Sequence, residues 1–154
     1  LAPTLLELVG APPVASVDGV SLAGCMELDG NCPELDAFNE TGIWIAHIPG
    51  LPDAHLRYPN LLELMEVPDR ASGALAIKSE YCNAILDAKD RMIRSGRWKL
   101  VYQPLETGHV LSLFDLETDP ACQHDVSAHH PQLKADLWAR LQAFVQASRQ
   151  RARR

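Results

Sequence analysis

The sequence predicts an α+β fold, a small antiparallel β-sheet packed with a long C-terminal helix. Three observations carry that expectation. First, Asp90–Ser95 and Trp98–Gln103 flank Gly96-Arg97 and read as two strands around a tight turn. Second, a further turn at Pro104–Gly108 leads into Val110–Leu116, where Leu111, Leu113 and Asp115 alternate with Ser112 and Phe114. Third, Leu133, Leu137, Leu141, Phe144 and Val145 repeat at helical spacing after Pro131, which suits a first helical turn.

The remaining elements follow in chain order. Pro3–Val9 reads as two helical turns closed by Gly10, with Leu5, Leu6 and Val9 turned inward. Ala11–Asp18 is an extended linker, because Pro12-Pro13 excludes helix. Gly24–Asp36 is a polar loop with two of the four cysteines. Ala37–Ile48 contains Phe38, Ile43, Trp44, Ile45 and Ile48, a composition that predicts one buried strand ending at Pro49. Asp53–Gly73 is long and irregular with a short helix near Asn60–Glu66, and loops of this length are often functional. Ala74–Lys78 reads as a short strand and Asn83–Lys89 as a helical turn. In the strand after Gly96-Arg97, Trp98, Leu100 and Tyr102 should share the buried face. His130 falls near the N-cap of the last helix, and the arginines at its far end complement the helix dipole.

The net charge of −6 argues against a nucleic-acid partner, and no apolar run reaches the roughly 20 residues of a membrane span. No Cys-x-x-Cys pair is present among Cys25, Cys32, Cys82 and Cys122, so no structural zinc site is expected. An oxidising compartment would allow a Cys25–Cys32 bridge, but with the compartment unknown free thiols are the favoured expectation. The compartment is not legible, and bacterial periplasm and cytoplasm both fit. Leu1-Ala2-Pro3 enters an apolar helix with no initiator Met, so a piece of a longer protein is expected.

Several segments invite a chemical reading. Gly19-Val20-Ser21-Leu22-Ala23 approaches a nucleophile elbow, yet it lacks the strand before and the helix after that such a turn needs. His124, Asp125, His129 and His130 cluster in sequence, but their spacing does not place them on one helix face, and a solvated loop is expected. Asp115, Glu117 and Asp119, followed by Pro120, read as a turn. His47, His55, Arg57, Tyr58 and Lys78 differ, because they lie in or beside the long loop, whose polar tips can reach a cleft.

The order of these segments resembles the sulfatases of the alkaline phosphatase superfamily. Leu1-Ala2-Pro3-Thr4-Leu5-Leu6-Glu7-Leu8-Val9-Gly10 is similar to that family's P-T-L-L-x-L-A-G helix, and Asp18-Gly19-Val20-Ser21-Leu22 to its D-G-x-S-L segment. Arg94-Ser95-Gly96-Arg97-Trp98-Lys99-Leu100-Val101 resembles its R-x-G-x-W-K-L-I strand pair, and Leu113-Phe114-Asp115-Leu116-Glu117-Thr118-Asp119-Pro120 its L-Y-D-L-x-x-D-P turn. Ala121-Cys122-Gln123-His124-Asp125 departs from the family, which often has Glu and Asn after Asp-Pro.

The resemblance implies three parts. Residues 1–22 would be the tail of a large α/β sulfatase domain, 23–81 a variable region near the cleft, and 82–154 a C-terminal sheet and helix. It also implies a parent that hydrolyses sulfate esters with formylglycine and a divalent cation, calcium or magnesium. This chain has no C/S-x-P-x-R motif, and Cys32 is followed directly by Pro33, so no catalytic residue, metal ligand or cofactor is assigned to it. The chain alone is therefore expected to be inactive. His47, His55 and Arg57 are the candidate substrate contacts, and the implied partner is the rest of the sulfatase, with self-association as a further possibility. A phosphonate or phosphate-ester hydrolase of the same superfamily, or a free-standing oligomerisation or binding module, are the rival readings.

Overall fold

A computed structural model describes residues 1–152 except 16, 18, 27–29, 31, 42, 43 and 59. The chain divides into two compact units, Leu1–Leu35 and Asp36–Arg154. In the second unit four strands form one antiparallel sheet: β1 (Ala37–Glu40), β4 (Arg91–Ser95), β5 (Trp98–Pro104) and β6 (His109–Asp115), ordered β1-β4-β5-β6. The terminal helix α4 runs from Pro131 to Ala152 and packs on β4 and β5. The expected α+β class, antiparallel sheet and C-terminal helix are all present.

The register explains the core. Phe38 pairs with Ile93, Ile93 with Leu100, and Leu100 with Leu113, so one residue from each strand forms a row across the sheet. Side chains opposite one another share a face. Leu137 and Leu141, one helical turn apart on α4, join this row, and Ile93, Leu100, Leu113 and these two leucines are sealed from solvent. Each such side chain contributes on the order of 1.5–3 kcal/mol through its burial. Phe38 stacks on Phe144 at 4.0 Å with the ring planes almost parallel, and Arg140 of α4 donates to both oxygens of Asp36 at 3.0 and 2.9 Å. These two contacts tie β1 to the helix.

The turns follow local chemistry. Gly96 sits at φ +56, a backbone region that disfavours a side chain, as the two-residue connection between β4 and β5 requires. Arg97, the second turn residue, donates from Nε to Asp115 at 2.7 Å, while its other nitrogens reach Asp115 and Glu117. The Arg97 guanidinium beside it holds the Asp115 carboxyl down at about 2, against the opposing effect of desolvation. Beyond β6 the chain folds back: Asp125 accepts from Leu113 N at 3.0 Å, and Val126 N donates to Leu113 O at 2.8 Å. This segment covers the open edge of β6.

Three expectations are corrected. The strand expected over Ala37–Ile48 is only the four residues of β1; its Ile43 lies outside the described residues. Thr41 N still donates to Asp90 O beside the end of the β1–β4 pairing, whereas Trp44 O accepts from Tyr58 N at 2.9 Å, outside the sheet. The apolar run therefore serves two places, and β1 is an edge strand with only Phe38 half-buried. The first helix, α1 (Ala2–Leu8), ends at Gly10 with φ +66 as expected, but Leu5 and Val9 are exposed. Thr4 is its buried residue, and its hydroxyl accepts from Leu22 N at 3.0 Å. Cys25 and Cys32 are joined as a disulfide, not left as free thiols.

Between β1 and β4 lie α2 (Leu61–Leu64), capped by the Asn60 side chain on Leu62 N at 2.9 Å, and α3 (Cys82–Asp87). A two-strand ribbon, β2 (Met65–Glu66) with β3 (Ala76–Ile77), separates them. Tyr58, Leu64, Ile85 and Ala88 form a second, smaller core here. Among the described residues no helix is long and apolar enough to cross a membrane.

Candidate functional site

The long loop is fixed where it passes the sheet. His55 forms an isolated bridge with Leu105, Leu56 N donates to Pro104 O at 3.0 Å, and Glu106 N donates to Ala54 O at 2.9 Å. These bonds lay Ala54–Leu56 along the end of β5 and turn the His55 side chain inward, where it is 2% exposed. Its Nε2 meets Asp90 Oδ1 at 2.6 Å. Asp90 is buried too, and it is held in place by Thr41: the Asp90 N–H donates to Thr41 Oγ1 at 3.1 Å, and Thr41 N donates back to Asp90 O at 3.0 Å.

This is a carboxylate–imidazole pair. Asp90 engages the Nε2 side of the ring, and Nδ1 is the ring nitrogen left for another partner. Nδ1 is buried with no hydrogen-bond partner among the described residues, and so are Tyr58 OH and Trp44 Nε1. The Trp44 ring stands edge-on to His55 at 6.4 Å. Buried polar atoms without partners are uncommon, and His55, its neighbour Trp44 and the Tyr58 of the same cavity lining each contribute one. Burial, and then the negative charge of Asp87, push the Tyr58 hydroxyl above its ordinary pKa, so it stays a neutral donor.

His55 and Tyr58 line a cavity of about 320 Å³ together with Ile45, Leu56, Arg57 and Glu106. Arg57 is exposed at its mouth, with one guanidinium nitrogen 3.3 Å from Asp53 O. Of the three sequence candidates, His55 and Arg57 thus come together. His47 does not line this cavity; it is half-exposed, with Nε2 3.9 Å from Asp53. Lys78 lies over the Tyr81 ring at 5.9 Å. Asp90 and Trp44 were not singled out in the sequence. Asp90 had no local signal, since its partner lies 35 residues away.

The other candidate segments are used structurally. Ser21 Oγ accepts from Ala23 N at 3.2 Å. Asp125 is engaged by the N–H groups of Leu113 and Ser127, His130 leans on the Trp98 ring at 4.9 Å, and His124 is 3.6 Å from Asp119. Among the described residues no three His, Cys, Asp or Glu side chains converge as a metal site. No family model matches the chain, and no curated protein matches it significantly.

Proposed function

We propose that the chain is the C-terminal part of a sulfatase-family hydrolase and contacts substrate through the cavity of His55 and Arg57. The observation that carries this reading is the meeting of two of the family-like motifs. Arg97 and Trp98 belong to the first and Asp115 to the second, and they are joined by the Arg97–Asp115 ion pair and by the Trp98↔Asp115 pairing of β5 with β6. These two of the four family-like motifs thus form adjoining parts of one sheet, while the other two lie in the unit Leu1–Leu35. The apolar side chains exposed in Leu1–Leu35, among them Leu5, Leu8, Val9 and Val14, give further support, because such surface usually packs on another domain.

Formylglycine and a divalent cation would supply the sulfate-ester chemistry of such an enzyme. The residues here do not fit them: the chain has no C/S-x-P-x-R motif. Its own role in this reading is binding. Arg57 offers a guanidinium at the cavity mouth to an anionic substrate group, and His55, oriented by Asp90, forms the inner wall. Kinetics of the full-length parent on an aryl sulfate test this. Arg57→Ala should raise KM about tenfold with kcat little changed, as loss of one charge-assisted hydrogen bond predicts. An unchanged KM refutes the contact, and turnover of an aryl phosphonate but not an aryl sulfate refutes the family reading.

A further inference from the structure

A second cavity, of about 350 Å³, opens between the sheet and α4, away from His55. One wall is built of three rings in mutual contact. Tyr102 of β5 and Trp138 of α4 stack at 5.1 Å with their planes 11° apart, and His109, the first residue of β6, leans on them at 5.4 and 5.2 Å. Apart from Val145 the rest of the lining is polar, with Asp87 and Arg91 among it. Gln142, Gln146 and Arg149 lie about one, two and three turns beyond Trp138, so they continue one stripe along α4. This stripe is distinct from the leucines that fill the core.

The chemistry of this lining is specific. Rings offer a flat apolar surface to another ring. Each amide has two donor hydrogens and an acceptor oxygen, which suits hydroxyl groups. The Arg149 guanidinium is anchored by Asp87, which lines the same cavity, and its Nε is buried, so its terminal nitrogens are what it can present to the groove. A guanidinium oriented in this way donates charge-assisted hydrogen bonds to an acid group. A neighbouring cavity of about 380 Å³ shares Arg91, Val145 and Arg149 and extends the groove along α4. The size lies at the lower end of small-molecule sites, which run from roughly 300 to 1,000 Å³.

We propose that this groove binds a small six-membered ring carrying an acid group. The ring packs on the wall of Tyr102, His109 and Trp138, the acid group meets Arg149, and the remaining polar substituents meet Gln142 and Gln146. A sugar acid and an aryl acid share this chemistry. The inference stands independently of the sulfatase reading, since none of these residues lines the His55 cavity.

The test is a titration of the full chain followed through the Trp138 indole N–H in NMR spectra, assigned with Trp138→Phe. Glucuronate and 4-hydroxybenzoate are the two acids, and glucose and phenol are their neutral counterparts. A saturable shift is expected with at least one acid, and its identity separates a sugar ring from an aryl ring. The matching neutral compound should bind about tenfold more weakly, and Arg149→Gln should weaken the acid by a similar factor. Gln146→Ala leaves the Arg149–Asp87 pair intact and should weaken binding about threefold, as loss of one neutral hydrogen bond does. No saturable shift with either acid in the millimolar range overturns the proposal. So does equal affinity for the neutral compound, or an Arg149→Gln protein that binds the acid as well as the unaltered chain.

Discussion

The segment Asp90–Val145 and the unit Leu1–Leu35 use their apolar side chains in opposite ways. In the first, Ile93, Leu100, Leu113, Leu137 and Leu141 are sealed in one cluster. In the second, Leu1, Leu5, Leu8, Val9, Val14, Val17 and Val20 are exposed, and among the described residues the buried positions are Thr4 and Ala23. The difference lies in how contacts are made. A row of paired strands crossed by a helix removes side chains from water on every side, whereas a seven-residue helix and a looping chain cannot. What holds the N-terminal unit is covalent and polar: the Cys25–Cys32 bridge and the bond from Leu22 N to Thr4.

The largest effect should come from opening the first region. Leu100→Ala, at the middle of the cross-sheet row, should destabilise the second unit by about 3–5 kcal/mol in urea unfolding, while Leu5→Ala should stay within about 0.5 kcal/mol. A comparable loss from Leu5→Ala would erase the distinction between the two regions. Next is the buried pair. Asp90→Ala leaves the buried His55 Nε2 without its hydrogen-bond partner and should remove about 2–3 kcal/mol; unfolding midpoints read it, and a shift no larger than that of a surface substitution would show the pair to be incidental.

Reduction of Cys25–Cys32 should act on the N-terminal unit alone. Releasing a loop of this length removes about 2 kcal/mol of constraint, so amide exchange should accelerate within residues 1–35 and hold steady in β4–β6. The smallest effect is confined to acid. The folded pKa of Asp115 is depressed to about 2, so its contribution is fully present above about pH 4 and is lost as pH falls through about 2. Asp115→Asn should flatten that part of the stability–pH curve and leave its slope at neutral pH unchanged; an unaltered acid limb would refute the Arg97–Asp115 assignment.

Legibility in the sequence followed the range of the interactions. Gly96-Arg97, with alternation on both sides, was enough to place the hairpin of β4 and β5, and the leucine spacing after Pro131 was enough for α4, because both signals repeat within a few residues. The short helix expected at Asn60–Glu66 is present as Leu61–Leu64, and the capping role of Asn60 came from the structure. Ala37–Ile48 was misread as one strand because an apolar run does not say where it leaves the sheet: Phe38 joins the sheet core, while Trp44 bonds to Tyr58 and Ile45 lines the His55 cavity. His55 and Arg57 were found through their place in a long loop, but the same argument also selected His47, which faces Asp53 outside the cavity.

By itself, then, the sequence determined the α+β class, the antiparallel hairpins, the terminal helix and the left-handed turn at Gly10. Periodicity and turn chemistry are properties of neighbouring residues, and they survive without knowledge of the rest of the chain. Only the tertiary structure decided that β1 joins β4, that Asp90 grips His55, that Cys25 and Cys32 are joined, and that Tyr102, His109 and Trp138 share a wall. Most of these meetings join residues far apart in the chain, and even the nearby Cys25–Cys32 link depends on how its loop closes. They are set by which buried partners the packed core leaves within reach, and no local pattern records that.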